Sequence, residues 1–220
     1  MAGKITCYID CVSLYSYYAL IALEKNREKL ISHNVDIDIV PVFLGGINVG
    51  SGNKPPWTLP AKGKYGKFEV TRAMKYFGTP NLKVPSFFPI VSLLPQRALI
   101  FIKREHPQTY VQTFLNLFVE MWEKSTDISK PEILAQVLSK SYSEAEVRNI
   151  LDQANSPDVK QALNDNTKEA LERGAFGCPW FWVKNKKGAE EPFFGSDRYV
   201  PPTTFSAWTH VKTQTGRCFA

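Results

Sequence analysis

Apolar positions follow two different periods along the chain, and these periods predict the order of its secondary-structure elements. Residues 4–12 are a short apolar run rich in β-forming side chains, which predicts a strand. Residues 14–31 carry apolar side chains at helical spacing, with charged residues toward the outer face, which predicts a helix. Residues 36–43 predict a second strand. This order is a βαβ unit, in which the two strands are expected to be parallel.

The middle of the chain changes character twice. Residues 44–63 are rich in glycine and proline, and we expect them to form a long ordered loop rather than a helix or a strand. After this loop the pattern is helical. The predicted helices cover residues 65–77, 95–105, 108–124, 130–139, 143–154 and 157–173. Ser143 with Glu146 forms a capping-box pattern, and Ser156 before Pro157 marks another helix start.

Strand patterns return near the C-terminus at residues 179–184 and 191–194, and the polar turn between them predicts a β-hairpin. A last helix is expected from near Ser196 to about His210. A βαβ half and a ββα half can together form one mixed four-stranded sheet, with the helical block inserted between the halves. The predicted fold class is therefore α/β, a thioredoxin-like fold with an inserted all-helical domain.

The expected domain boundaries follow from this order of elements. Residues 1–60 together with 173–220 form the thioredoxin-like domain, which is discontinuous in sequence, and residues 61–172 form the inserted helical domain. A chain of 220 residues is long enough for one or two such units.

Composition narrows the function classes. The chain has 27 basic and 21 acidic residues, a net charge of +6, and no long basic block, so we expect no nucleic-acid partner. The sequence has no run of about 18 apolar residues, so no membrane span is predicted. The N-terminus has no signal or transit pattern, which predicts an intracellular location. The 3 histidines and 4 cysteines show no metal-ligand spacing, so no metal is expected.

The first candidate site is the turn D-C-V-S-L-Y-S, where the first strand gives way to the first helix. In a thioredoxin-like fold this turn carries a reactive sulfur pair, but here Ser13 and Ser16 occupy the C-x-x-C spacing. Serine cannot exchange disulfides, so dithiol chemistry is excluded at this turn. A hydroxyl beside free N–H groups and a positive helix end would instead stabilise a bound thiolate. The alternative is that Ser13 is an ordinary N-cap.

The second candidate site is the segment A-F-G-C-P-W, residues 175–180. In thioredoxin-like folds the corresponding proline is cis and faces the active turn. Cys178 would then offer its backbone N–H and C=O, rather than its thiol, to an extended peptide ligand. The alternative is a trans Pro179 that opens an edge strand, with Cys178 buried.

The third candidate site is F-F-G-S-D-R, residues 193–198. Ser196 lies at a helix start, where backbone N–H groups bind anions such as carboxylates. Asp197 in the first turn would attract an ammonium group. Together they suit the zwitterionic end of an α-amino acid, although Ser196 and Asp197 also suit ordinary capping.

The fourth candidate site lies in the loop S-G-N-K-P-P-W-T-L-P-A-K-G. Asn53 and Lys62 are candidates to hold the polar and carboxylate ends of a ligand, and Trp57 to cover it. The alternative for this segment is a solvated loop. The sequence has neither a P-loop nor a G-x-S-x-G elbow, so nucleotide and acyl-transfer sites are not indicated.

These motifs occur in order over nearly the whole chain, and together they resemble the kappa class of glutathione transferases and the related 2-hydroxychromene-2-carboxylate isomerases. The resemblance implies a DsbA-like thioredoxin fold with a helical insertion, glutathione as co-substrate and a homodimer. One departure is Leu14, which stands where the motif S-P-Y-S has proline and so removes a residue suited to a helix start.

The resemblance also implies a role for each motif residue. Ser13 would hydrogen-bond the glutathione sulfur and act as the catalytic residue, and the backbone at Cys178 and Pro179 would bind the cysteinyl part. Ser196 and Asp197 would hold the γ-glutamyl end, and Asn53 and Lys62 the remaining polar groups. A second-substrate pocket is predicted around Tyr15, Ser16 and Trp57.

The expected function is therefore a glutathione transferase of the kappa type, which activates the glutathione thiol for attack on a small electrophile or a peroxide. Two alternatives stay open at this point. One is a glutathione-dependent isomerase of the 2-hydroxychromene-2-carboxylate type, and the other is a non-catalytic binding protein for apolar ligands.

Overall fold

The computed structural model describes residues 2–196. Within them, one four-stranded sheet has helices on both faces. The strands are β1 (Gly3–Ile9), β2 (Val35–Pro41), β3 (Trp180–Lys184) and β4 (Glu190–Phe194). The helices are α1 (Leu14–Lys25), α2 (Arg27–Ser32), α3 (Leu44–Ser51), α4 (Pro60–Phe77), α5 (Leu93–Glu105), α6 (Pro107–Trp122), α7 (Pro131–Leu138), α8 (Glu144–Ala154) and α9 (Pro157–Glu172), with a short 3-10 turn at Pro56–Thr58.

The sheet has the strand order β2-β1-β3-β4. β1 pairs in parallel with β2, and β3 pairs antiparallel with both β1 and β4. The parallel pair confirms the predicted βαβ unit, and the antiparallel β3–β4 pair confirms the hairpin. The DsbA-type arrangement of a mixed sheet, with helices α3 to α9 between β2 and β3, is the predicted α/β thioredoxin-like fold.

Alternate residues of the strands enter two different apolar clusters because successive side chains in a strand point to opposite faces. Ile5, Cys7 and Ile9 of β1 join the larger cluster, which also contains the buried side chains of α1 and α6. Tyr8 and Trp180 join a smaller cluster with buried residues of α3 and α9. The sheet is thus covered by apolar side chains on both faces.

Several helix boundaries agree with the sequence signals. The Ser143 side chain accepts a bond from the Glu146 N–H and the Glu146 carboxylate accepts from the Ser143 N–H, which completes the predicted capping box at α8. The Ser156 hydroxyl caps α9, and Pro157 occupies its first turn.

Three predictions about elements were wrong or incomplete. Residues 44–51 form helix α3 rather than a loop, and α4 begins at Pro60 rather than at residue 65. The single helix expected over 14–31 is divided at Asn26 into α1 and α2. Residues 44–51 were predicted to be a loop because they are rich in glycine. In the structure these glycines allow α3 to pack closely on α9: a Cβ at Gly50 would lie 2.5 Å from Leu171 Cδ1.

The helix predicted from near Ser196 to His210 lies outside the residues that the structure describes, as does Asp197. Within the described part of the chain, no helix has the length and apolar character needed to cross a bilayer.

Candidate functional site

Ser13 lies at the junction of β1 and α1 and is the N-cap of the helix. Its hydroxyl oxygen accepts a hydrogen bond from the Ser16 N–H at 3.2 Å. The same hydroxyl donates its proton to the backbone oxygen of Cys178 at 3.0 Å. Leu14, in place of the proline that the resemblance implies, is still the first residue of α1. The Ser13 hydroxyl therefore connects the helix start to the segment that precedes β3.

The Cys178–Pro179 peptide bond is cis, as the resemblance implies. The Pro179 carbonyl accepts a bond from the Gly195 N–H at 3.1 Å, which places the first residue of the G-S-D-R motif beside the cis-proline segment. Ser196 follows directly and is 2 % exposed. Three of the four predicted motifs are therefore joined by hydrogen bonds.

Asn53 brings the fourth motif to this group. Its side-chain amide donates to the backbone oxygen of Phe176 at 2.6 Å, two residues before Cys178. Lys62 lies on α4 and is exposed. The structure thus places Asn53 against the cis-proline segment and leaves the Lys62 side chain in solvent.

The carboxylate of Asp10, whose role the sequence analysis did not predict, is buried beneath the turn and bonded to it. Asp10 has no exposed surface and accepts three hydrogen bonds, from the Val12 N–H at 3.0 Å, the Leu44 N–H at 2.8 Å and the Ser92 hydroxyl at 2.7 Å. Burial raises the pKa of Asp10 to about 6, although these hydrogen bonds oppose the rise. Asp10 therefore links the turn to the first residues of α3 and α5.

Two side chains from the helical block fix Cys11, the residue next to Asp10. The Gln96 amide donates to the backbone oxygens of Ile9 at 2.8 Å and Val42 at 2.7 Å, and its oxygen accepts from the Cys11 N–H at 3.4 Å. The Trp122 indole N–H donates to the Cys11 carbonyl at 3.1 Å. The signal for Gln96 was present in the sequence, as a polar residue inside the most apolar stretch of the chain.

Trp57 is connected to the turn through a row of aromatic rings. Its ring meets the Phe88 ring edge-on, with centroids 5.0 Å apart, and the Phe88 ring lies 5.3 Å from that of Trp122. Trp57 is 49 % exposed, so about half of its surface is open to solvent.

The other two residues of the predicted pocket differ in their access to solvent. Tyr15 is partly buried and packs against the main core. Ser16 is fully buried, and its hydroxyl accepts a long hydrogen bond, 3.5 Å, from the Asp10 N–H. The Ser16 side chain is therefore part of the interior and is not presented to a ligand.

The cysteines of the described residues are unsuited to nucleophilic chemistry at neutral pH. Cys7, Cys11 and Cys178 are free and buried. Burial, with a smaller contribution from nearby Asp10 for Cys11 and Cys178, raises the pKa of each thiol well above its usual value. No three His, Cys, Asp or Glu side chains within residues 2–196 lie together as a metal site. Within the described residues, the turn thus presents a hydroxyl and a helix N-terminus, and no reactive thiol.

Comparison with known proteins finds relatives that match most of the chain. The human glutathione S-transferase kappa 1 is 29 % identical over 196 residues, which is 87 % of this chain and 85 % of that protein. The Caenorhabditis elegans glutathione S-transferase kappa 1 is 26 % identical over 200 residues, covering 89 % of this chain and 87 % of the relative. A solved 2-hydroxychromene-2-carboxylate isomerase superposes with a TM-score of 0.71 at 21 % identity, covering 89 % of this chain and 90 % of the other.

The sequence pattern that describes the DSBA-like thioredoxin domain matches residues 4–200, nearly the whole chain. The matched residues include strands β2 to β4 and all of β1 but Gly3, the cis-proline segment and the helix that Ser13 caps. The chain therefore belongs to the DSBA-like thioredoxin domain family.

Proposed function

We propose that this protein is a glutathione transferase of the kappa type, which holds the glutathione thiol as a thiolate at Ser13 and presents it to a small electrophile. One observation carries the proposal: the Ser13 hydroxyl lies 3.0 Å from the Cys178 carbonyl, beside the cis-proline. A turn without a sulfur pair, placed against a peptide-binding segment, suits a thiol-bearing peptide. The kappa-class relatives, which match over most of the chain, support the same choice.

In this proposal the tripeptide lies along the cis-proline segment in an extended conformation. Its cysteinyl part pairs with the backbone of Cys178 before Pro179. Ser196 and Asp197 hold the ammonium and carboxylate of the γ-glutamyl end. Asn53, which already bonds to Phe176, and Lys62, whose ammonium is in solvent, bind the remaining polar groups.

The hydrogen bond between Ser13 and Cys178 suggests how binding activates the thiol. In the structure the Ser13 proton points to the Cys178 carbonyl. An incoming cysteinyl N–H would take that carbonyl, as a neighbouring strand does, and release the hydroxyl proton. Because a serine hydroxyl rotates freely about its C–O bond, the proton then turns to the sulfur of the ligand. A thiolate gains more from this bond than a thiol, so its pKa falls.

The reaction that follows needs no further group from the chain. The thiolate attacks an electrophilic carbon and forms the new C–S bond. The leaving group departs with its electron pair, or the added electron pair takes a proton from water. The exposed surface of Trp57 and the ring of Tyr15 suit an aromatic electrophile beside the turn. No metal is part of the proposal.

The test is the ionisation of glutathione on the enzyme, followed by thiolate absorbance across pH. Ser13→Ala should still bind glutathione, but the pKa of the bound thiol should rise by about 1–2, the worth of one hydrogen bond to a charged group. Ser143→Ala is the matched control, because Ser143 is also a capping serine, on remote helix α8. It loses comparable helix stability and should leave the thiol pKa unchanged. An unchanged pKa in Ser13→Ala would refute the role of Ser13.

A second measurement tests the γ-glutamyl assignment. Asp197→Ala should weaken glutathione binding, measured by calorimetry, about tenfold or more, since it removes one charged partner. The pKa of the thiol that still binds should not change. Wild-type affinity in Asp197→Ala would contradict this role.

Thiol counting distinguishes the transferase from an isomerase reaction on the same site. A transferase consumes one glutathione thiol for each electrophile that disappears, whereas an isomerase adds and then eliminates the thiol without net loss. Incubation with 1-chloro-2,4-dinitrobenzene should show stoichiometric thiol loss. Conversion of a substrate with no thiol loss would favour the isomerase.

We also propose that the protein works as a homodimer through the surface around α4. No residue of α4 is buried, although the helix carries aromatic side chains. Tyr65, Phe68 and Tyr76 are each more than half exposed, and Leu59, which is also more than half exposed, lies just before the helix. An apolar surface of this extent is typical of an interface between subunits. The second copy of the chain would cover it.

The mass in solution, measured by light scattering, tests the dimer. Phe68→Glu combined with Tyr76→Glu should give a monomer, because two charges would be buried at the interface. Ile31→Glu, at an equally exposed apolar residue on α2, should leave the dimer intact. A wild-type monomer, or a double variant that still dimerises, would overturn the proposed interface.

The remaining parts of the proposal concern location and domains. An intracellular, reducing compartment suits the free cysteines Cys7, Cys11 and Cys178. The division into residues 1–60 with 173–220, and 61–172, is kept as the proposed domain organisation, because the helices between β2 and β3 interrupt the sheet in sequence.

A further inference from the structure

A cleft of about 570 Å³ opens on the helical block, at the start of α5. One wall is apolar and is built from the segment before α5 and from its first turn. The other wall is polar and comes from the loop between α6 and α7. The lining is formed by Phe87, Ile90, Leu93 and Arg97 on the α5 side and by Asp127 and Lys130 on the loop side, among others. Neither Ser13 nor Cys178 lines it, so the cleft is separate from the glutathione site.

Arg97 is the feature of this cleft that most needs an explanation. Its Nε–H is buried and has no hydrogen-bond partner within residues 2–196, whereas the side chain as a whole is only partly buried and lines the cleft. Arg97 takes part in none of the ion pairs of the described residues. The Asp127 carboxylate lines the same cleft, but it accepts hydrogen bonds from the N–H and the hydroxyl of Ser129. A buried donor without a partner is costly, and such groups in native structures are commonly completed by a ligand or by water.

The positive charge of the cleft comes from its side chains. Ser92, the N-cap of α5, makes no capping bond within the helix, and its hydroxyl donates to the buried Asp10 carboxylate, which offsets the partial positive charge of the helix N-terminus. Leu93 and Leu94 therefore contribute apolar surface to the cleft. Lys130 adds a second cation from the opposite wall, and Arg97 with Lys130 outweighs the single carboxylate of Asp127.

We propose that this cleft is a binding site for an organic carboxylate with an apolar body, whose carboxylate pairs with Arg97 and whose body lies against the apolar wall. A guanidinium is suited to a carboxylate because its N–H groups match the two oxygens. Phe87, Ile90 and Leu93 suit a flat or aliphatic body of modest size. The site does not depend on glutathione and is independent of the proposed transferase activity.

The site also has a structural connection to the catalytic turn. The first turn of α5 lines the cleft through Leu93 and Arg97, and through Ser92 and Gln96 it holds Asp10 and the end of β1. The carboxylate ligand would therefore bind to the helix that positions the Ser13 turn.

The experiment uses 2-naphthoate as the probe and 2-naphthalenemethanol as its neutral counterpart, each titrated calorimetrically into the whole protein without glutathione. The wild type should bind the acid at least tenfold more tightly than the alcohol. Arg97→Met should lose this preference, with weaker binding of the acid and little change for the alcohol. Arg104→Met is the matched control, because Arg104 lies on the same helix, pairs with Asp158 and does not line the cleft. It should bind both probes as the wild type does.

A second variant keeps the test decisive if Arg97→Met fails to fold. Lys130 is exposed, and Lys130→Met should weaken binding of the acid severalfold without affecting the alcohol. Equal binding of acid and alcohol by the wild type would overturn the proposal, as would no binding of the acid. The proposal would also be overturned if a folded Arg97→Met still preferred the acid as strongly as the wild type does. If only Lys130→Met folds, the same result in that variant would overturn it.

Discussion

The hydrogen bond from Ser92 to Asp10 gives a sharp prediction, because the two side chains are fully buried and, within residues 2–196, no cation is bonded to the carboxylate. The Ser92 hydroxyl lies 2.7 Å from the Asp10 oxygen, and neither residue has exposed surface. Ser92→Ala removes one of the hydrogen-bond donors to a buried charge. A hydrogen bond to a charged group contributes about 1.5–3 kcal/mol, so we expect this loss of unfolding free energy at pH 7.5.

The pH dependence of this loss follows from the pKa of Asp10, which burial raises to about 6. In the unfolded chain its pKa is about 3.9, so between pH 4 and 6 the folded state binds more protons than the unfolded state. Stability from this group is therefore greatest below about pH 4 and falls as pH rises through 6. The difference of about two pKa units corresponds to about 3 kcal/mol.

Ser92→Ala should move the pH range over which this stability is lost to higher pH. The Ser92 hydroxyl is one of the groups that lower the pKa of Asp10, so its removal raises that pKa further above 6. At pH 5 the carboxyl is largely protonated in both proteins, and the lost bond is a weaker, neutral one. The stability difference between wild type and variant should thus be largest at pH 7.5 and fall to about 1 kcal/mol at pH 5.

Urea unfolding at pH 5, 6 and 7.5 measures the effect. Ser86→Ala, an exposed serine in the segment before α5, is the control and should show little change at any pH. If the deficit of Ser92→Ala is the same at all three pH values, or larger at pH 5, then Asp10 is not the charged acceptor described here.

Two further predictions concern buried polar groups of the helical block. Gln96→Leu should cost about 3–5 kcal/mol in urea unfolding, because it leaves the Ile9 and Val42 carbonyls and the Cys11 N–H without their partner; a loss below about 1 kcal/mol would show that these groups find other partners. Burial alone would raise the pKa of Glu120, but hydrogen bonds from Lys124 and Lys140 outweigh it and lower that pKa. Lys140→Met should therefore cost about 0.5–1 kcal/mol at pH 7, a deficit that disappears as pH falls through the lowered pKa of Glu120, and a deficit that persists at pH 3 would contradict this.

Local signals in the sequence were enough for the elements whose ends depend on nearby residues. The capping box of Ser143 and Glu146 and the start of α9 at Ser156 are formed within one helical turn, so the pattern alone predicts them. The β1–β2 and β3–β4 pairs follow from short apolar runs separated by connections of suitable length.

Helix α3 was missed because its stability comes from distant contacts. Its first N–H, at Leu44, is held by the Asp10 carboxylate from the end of β1. Its glycines allow close packing on α9, where Leu171 leaves no space for a Cβ at Gly50. Low helix propensity is offset by tertiary packing here, and a pattern of neighbouring residues carries no record of that packing.

The same distinction explains which site residues the sequence revealed. Ser13, Cys178 and Pro179 lie in motifs that a resemblance can identify, whereas Ser92 and Gln96 act only across long separations in the chain. Asp10 lies in the first of these motifs, but its bonds to Leu44 and Ser92 are also long-range. A buried polar residue is recognisable as functional only when its partners are known, because the same residue on a surface is ordinary.

Hydrogen bonds fix the backbone before Ser13, so the Ser13 hydroxyl is the part of the turn that can rotate. The Cys11 N–H and carbonyl are bonded to Gln96 and Trp122, and the Val12 N–H to Asp10. These partners come from α5, α6 and the end of β1. The conformational entropy of the turn is therefore lost when the chain folds and not when a ligand binds. In the proposed function, binding of glutathione would then require the rotation of one hydroxyl proton, from the Cys178 carbonyl to the ligand sulfur. A rigid turn with one rotatable proton is the preorganised arrangement that stabilises a charge as it forms, and it requires no cysteine of its own.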